Sequence, residues 1–117
     1  MLDFSVEALG ENSDIMCISI RGDLTAENCE YLLKCVESQI EDGYKNLILN
    51  CAGLTYISSL GLGMLVRVHS RMKKLDGDVR LAGLHGKVAD ILNIVKLDRV
   101  FQIYPNEVEA AASFMDG

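Results

Sequence analysis

Short apolar runs take turns with stretches in which apolar residues recur every three or four positions, and this alternation leaves few folds open to the chain. Phe4, Val6 and Ala8 alternate along the first run. Ile15 to Ile20 form a second, set off by the turn-prone Gly10, Glu11, Asn12 and Ser13, so the chain is expected to open as a hairpin. From Thr25, a good N-cap, the residues Cys29, Leu32, Leu33, Val36 and Ile40 keep helical spacing until Asp42 and Gly43 stop it. Leu47 to Cys51 is too short for a helix and too apolar for an exposed edge, which predicts a buried central strand with Leu49 in the core.

The same alternation continues to the end. Leu62, Leu65, Val66, His69 and Met72 share one helical face that runs to Leu75, before a turn at Asp76, Gly77 and Asp78. Val79 to Ala82 read as a strand, Val88, Ile91, Leu92 and Val95 as a helical face, and Val100 to Tyr104 as a short strand. Asn106 to Phe114, after the only proline, give a last helix. Strands separated by helices imply an α/β fold. The expected architecture is one domain over residues 1–117, with a mostly parallel mixed central sheet opened by an N-terminal hairpin and about four helices. With 117 residues, half of them hydrophobic, the chain has enough apolar material for one core.

Charge and cysteine usage narrow the partners. The net charge is −6, and Lys and Arg are scattered except at Arg67, Arg71, Lys73 and Lys74, which read as the solvated side of a helix. Nucleic acid needs a concentrated basic face and is not expected as a partner. The N-terminal residues lack a basic region before an apolar core, and no apolar run approaches the roughly 20 residues of a spanning helix. A cytoplasmic protein without direct membrane insertion is expected. Cys17, Cys29, Cys35 and Cys51 contain no CxxC pair and no His at ligand spacing, so they read as reduced thiols and no metal site is expected. Cys17 and Cys51 lie in apolar runs and should pack as small hydrophobes.

Residues 54–65, LTYISSLGLGML, place two serines and two glycines between a strand-like and a helix-like run. The nucleophile elbow GxSxG centred on Ser59 fails at Ile57, and a dinucleotide loop beginning at Gly61 fails at Val66. A phosphate loop ending at Gly86 and Lys87 fails at both Leu81 and Val88. His69 falls on an apolar stripe and reads as a packing residue, while His85 sits in a glycine-flanked turn and should be solvated. Asp76 with Asp78 and Glu41 with Asp42 occupy turn positions. No catalytic constellation remains, so the chain is expected to be no enzyme and to carry no cofactor. Ser58 or Ser59 can cap a helix, and Gly61 and Gly63 either pack against the sheet or leave the first turn bare for another molecule's backbone.

The order of elements, the Gly22, Asp23, Leu24 turn, the stretch from Tyr56 to Gly63 and the segment from Val95 to Ile103 together resemble the STAS domain of bacterial anti-sigma factor antagonists. That family's hallmark runs as an aromatic residue, Ile or Met, then Asp-Ser-Ser-Gly-Leu-Gly. The resemblance implies an antagonist in a partner-switching cascade that regulates transcription. Unphosphorylated, it binds an anti-sigma factor that is also a serine kinase and so frees the sigma factor; phosphorylation releases it, and a serine phosphatase resets it. Aligning Gly61 to Gly63 places the phosphorylated serine on Ser59. The implied partner surface comprises Asp23, Thr25, Tyr56, Ile57, Ser58, Ser59, Leu60, Gly61, Leu62 and Gly63. Ser58 stands where the family carries Asp, Thr25 where it often carries an acid, and Leu60 where it carries a small residue. The alternative is a STAS interaction or scaffold subunit, in a sensory or transporter-associated complex, that phosphorylation does not regulate.

Overall fold

A computed structural model describes residues 2–115. The opening hairpin pairs β1, Leu2–Leu9, antiparallel with β2, Ile15–Leu24, in unbroken register from Leu2 opposite Gly22 to Leu9 opposite Ile15. Its turn needs left-handed backbone at both ends: Gly10 has φ +89° and Ser13 has φ +52°, and the Ser13 N–H donates to the Gly10 carbonyl at 3.1 Å. Glycine takes that conformation without penalty.

Three parallel pairings complete the sheet. After α1, Cys29–Glu41, the chain enters β3, Asn46–Ile57, beside β2. Then come α2, Ser59–Lys74; β4, Asp78–Ala82; α3, Gly86–Ile94; a 3-10 turn, Leu97–Arg99; β5, Gln102–Tyr104; and α4, Glu107–Met115. The strand order is β1-β2-β3-β4-β5. One face of the sheet buries Ile18, Ile20, Leu49 and Leu81 against Leu32 and Val36 of α1, Leu65 and Val68 of α2, and Val88 and Leu92 of α3. The other face buries Ile15, Cys17, Ile48 and Ala82 against Ala110 of α4. Alternate residues of a strand point to opposite faces, so β3 buries both Leu49 and Ile48. The expected mixed α/β architecture, opening hairpin and four helices are all present.

Several local expectations change. Thr25 is not the cap of α1. That position belongs to Asn28, and residues 26–28 form a turn in which the Cys29 N–H reaches the Thr25 carbonyl at 2.9 Å. Leu54 to Ile57 continue β3, because β2 also extends, through Gly22 at φ +99° and two register shifts, to pair with them. The buried stripe of α2 runs through Gly61, Met64, Leu65, Val68 and Met72, which rotates Val66 out to 36% exposure. Val95 follows the last residue of α3 and is exposed. The strand expected from Val100 begins only at Gln102, since the preceding 3-10 turn uses Leu97 to Arg99. His69 packs edge-on against buried Phe101, with ring centroids 5.1 Å apart, as its place on an apolar stripe suggested. His85 is exposed yet tethered, its Nε2 lying 2.8 Å from the Ala52 carbonyl oxygen.

All four cysteines are free thiols. Burial pushes the Cys51 thiol up to about 12. It does the same to Cys17, also to about 12, where the Glu107 carboxylate accepts the thiol's hydrogen bond at 3.3 Å and repels the thiolate. The native state therefore keeps protons that an unfolded chain releases above about 8.5. Native protein holds more protons than unfolded protein in that window, so stability must fall as pH rises from about 9 towards 12. Urea midpoints measured at pH 8 and pH 10 check this, with the lower midpoint expected at pH 10. A reductant at pH 8 should leave the melting temperature unchanged, whereas a large drop would reveal a disulfide.

Candidate partner-docking site

The junction of β3 and α2 is built by the far ends of two neighbouring strands. In the shifted register Gly22 lies opposite Leu54, Asp23 opposite Tyr56 and Leu24 opposite Ile57. The chain then turns, and the Ser58 N–H donates to the Leu24 carbonyl at 2.9 Å, tying the start of α2 to the end of β2. A Cβ added at Gly61 would stand 2.9 Å from that same carbonyl oxygen and 2.9 Å from the Ile57 side chain. Only glycine lets the helix lie this close to the strand ends.

The two serines have separate positions in this geometry. Ser58 is the N-cap: its backbone is extended, its Oγ accepts the Gly61 N–H at 3.0 Å, and its carbonyl accepts the Leu62 N–H at 2.9 Å. Ser59 is the first helical residue, exposed, and its side chain takes no part in the cap. No acid lies in the first turn of α2, while Arg71, Lys73 and Lys74 complement the dipole at the other end. The first turn of the helix therefore presents partial positive charge with no carboxylate of its own to offset it.

A side-chain network holds the β2–α1 loop against this junction. Asn28 Oδ1 accepts the Thr25 N–H at 2.7 Å, and its Nδ2 donates to the Asp23 carbonyl at 2.9 Å. Thr55 Oγ1 bonds the Gly22 carbonyl oxygen at 3.1 Å and the Asp23 carboxylate at 2.9 Å. The β2–α1 loop and the β3 tail are thus tied to each other beside the start of α2. Neither Asn28 nor Thr55 belongs to the set expected from the sequence. Asn28 had a signal in its place just before the periodic run, where Asn is a strong N-cap, but Thr25 was the competing choice.

Comparison with known proteins gives the family and the fold. The model of the STAS domain matches residues 8–110. The chain belongs to the STAS domain family. It is 26% identical over 95 residues to BtrV of Bordetella bronchiseptica, a protein provisionally named an anti-sigma factor antagonist, covering 81% of this chain and 82% of that one. The crystal structure of a Thermotoga maritima protein with the same provisional name superposes with a TM-score of 0.85 at 24% identity, over 94% of this chain and 92% of the other. The unphosphorylated form of the anti-sigma factor antagonist SpoIIAA, whose phosphorylated form is assigned to Bacillus, matches with a TM-score of 0.72 at 17% identity, over 98% and 99% of the two chains. At these identities the structural likenesses speak for the fold.

Within this STAS domain, the residues expected at a partner surface divide by accessibility. Tyr56, Ser59, Leu60 and Gly63 are exposed, with Leu60 at 62% and Tyr56 at 51%. Asp23, Thr25, Ser58 and Leu62 are half-buried. Ile57 and Gly61 are buried and belong to the support beneath the surface. No helix among the described residues is long and apolar enough to cross a membrane, and no group of His, Cys, Asp and Glu among them is placed to hold a metal ion.

Proposed function

We propose that this STAS domain is an anti-sigma factor antagonist in a partner-switching cascade. In this reading it binds an anti-sigma factor with serine kinase activity while Ser59 is unmodified, and phosphorylation of Ser59 by that kinase releases it. A serine phosphatase would restore the binding form. The observation that carries the reading is the division of labour between adjacent hydroxyls: Ser58 caps the helix, which leaves Ser59 exposed at a helix N-terminus whose first turn carries no acid. A phosphate there brings a charge of about −1.5 to −2 that the helix N-terminus favours, while an acidic partner surface would repel it. Ser58 stands where the resemblance places Asp, and both residue types are strong N-caps.

Purified domain incubated with ATP and each candidate anti-sigma factor kinase of the source organism should incorporate phosphate, and peptide mapping should place it on Ser59. Phosphate confined to another residue, or none with a kinase that binds the domain, would favour the unregulated scaffold subunit instead.

A further inference from the structure

The outward ridge of α2 continues well past Ser59. Leu60, Gly63, Arg67, Ser70 and Lys74 follow one another at helical spacing and are all exposed. At 1.5 Å per residue this lane is about 21 Å long. The two glycines at its start differ in kind. A Cβ at Gly61 collides with the strand end, whereas one at Gly63 meets no atom within 4 Å. Glycine is a poor residue inside a helix, so the bareness of Gly63 contributes nothing to the fold that alanine would not improve.

Beside the lane, α1 and α2 enclose a groove of about 280 Å³. Leu33 and Val66 supply its apolar lining, and Arg67, Arg71 and Lys74 bring to it three of the chain's 11 cationic side chains. Glu37 holds Arg71 by two hydrogen bonds of 2.8 and 3.2 Å, and Lys73, on the same turn of helix, pairs with Asp78 at 3.2 Å. Arg67 and Lys74 have no ion-pair partner among the described residues. On a chain of net charge −6, this is a groove of mixed polar and apolar lining, edged by two cations without an ion-pair partner.

We propose that the anti-sigma factor lays an acidic segment along this groove, with its backbone crossing α2 at Gly63. The inference rests on the reading that a partner covers Ser59, and it names what that partner presents. Gly63 is the point of closest approach, and Arg67 and Lys74 select the segment by charge. Opposite charges across an interface speed association and lose that effect in salt.

The test uses the full chain and each candidate anti-sigma factor kinase of the source organism, purified. Gly63→Ala should raise the melting temperature by roughly 2 to 5 °C, because alanine is the better helix former, and should weaken binding at least tenfold. The double variant Arg67→Glu with Lys74→Glu should keep the wild-type circular dichroism, weaken binding at low salt at least tenfold, and flatten the salt dependence of the association rate. A lowered melting temperature for Gly63→Ala would show that the glycine serves the fold, and wild-type affinity in that variant would move the crossing elsewhere. Wild-type affinity and salt dependence in the charge-reversed protein would exclude the acidic segment. Binding that Ser59→Asp abolishes but these variants leave intact overturns this inference alone. Wild-type protein that binds none of the kinases overturns the kinase-partner reading and this inference with it.

Discussion

Leu49→Ala should lower the free energy of unfolding by about 2 to 5 kcal/mol, the range for a large-to-small change in a packed core. Leu49 has no solvent exposure and sits in the central strand, level with Ile18 of β2 on one side and Leu81 of β4 on the other. Its neighbours on the same face belong to the cluster shared with α1, α2 and α3, so the missing isopropyl group leaves a void in the packed core. Urea denaturation should show a lower midpoint with an unchanged slope, which assigns the effect to stability and not to compactness. Leu60→Ala is the matched control: at 62% exposure it should stay within about 0.5 kcal/mol of the wild type. Equal midpoints for Leu49→Ala and the wild type would place the core elsewhere.

Ser59→Asp should weaken partner binding at least tenfold, equivalent to about 1.4 kcal/mol, with almost no change in melting temperature. A partner close enough to phosphorylate Ser59 must cover it, and a charge added under that cover is either desolvated or repelled. The fold should not register the change, because the Ser59 side chain takes no part in the cap and an acid in the first turn suits the helix dipole. The neighbouring serine supplies the contrast. Ser58→Ala removes the oxygen that accepts the Gly61 N–H and should cost about 0.5 to 2 kcal/mol of stability, whereas Ser59→Ala should leave stability near the wild-type value and abolish phosphate incorporation. Titration calorimetry with a purified kinase and thermal melts of all three variants separate the two hydroxyls. Equal affinity of Ser59→Asp and wild type would leave capping as the account of this serine pair.

The central strand, the opening hairpin and the identity of every helix were legible because burial imposes its period directly on the sequence. Leu47 to Cys51 can satisfy no exposed edge, and Cys29, Leu32 and Val36 can share a core only on a helix. What escaped the sequence was set by tertiary contact. The extension of β2 and β3 depends on two register shifts beside Gly22, which no local pattern announces. Val66 leaves the core because α2 is rotated by the close approach of Gly61 to Leu24, a fact about two distant segments. At the site, the serine pair could be found but not divided, since either residue can cap a helix until the position of the Gly61 N–H is known. Thr55 was invisible for the same reason, and Asn28 was legible only as a possible cap: each takes its bonding role from loop carbonyls that only the folded chain brings within reach.

The hydrogen bond from the Ser58 amide to the Leu24 carbonyl fixes where α2 begins, and the bare Cα of Gly61 seats the helix against the same atom. A helix anchored in this way to the end of a parallel strand can retract only by giving up its bond to the end of β2. The domain thus needs no second posture in which to store a message. A modification at Ser59 would be written and read as charge on an immobile surface, and the time taken to respond would belong to the enzymes that add and remove it and to the departure of the partner, with no conformational delay contributed by the domain itself.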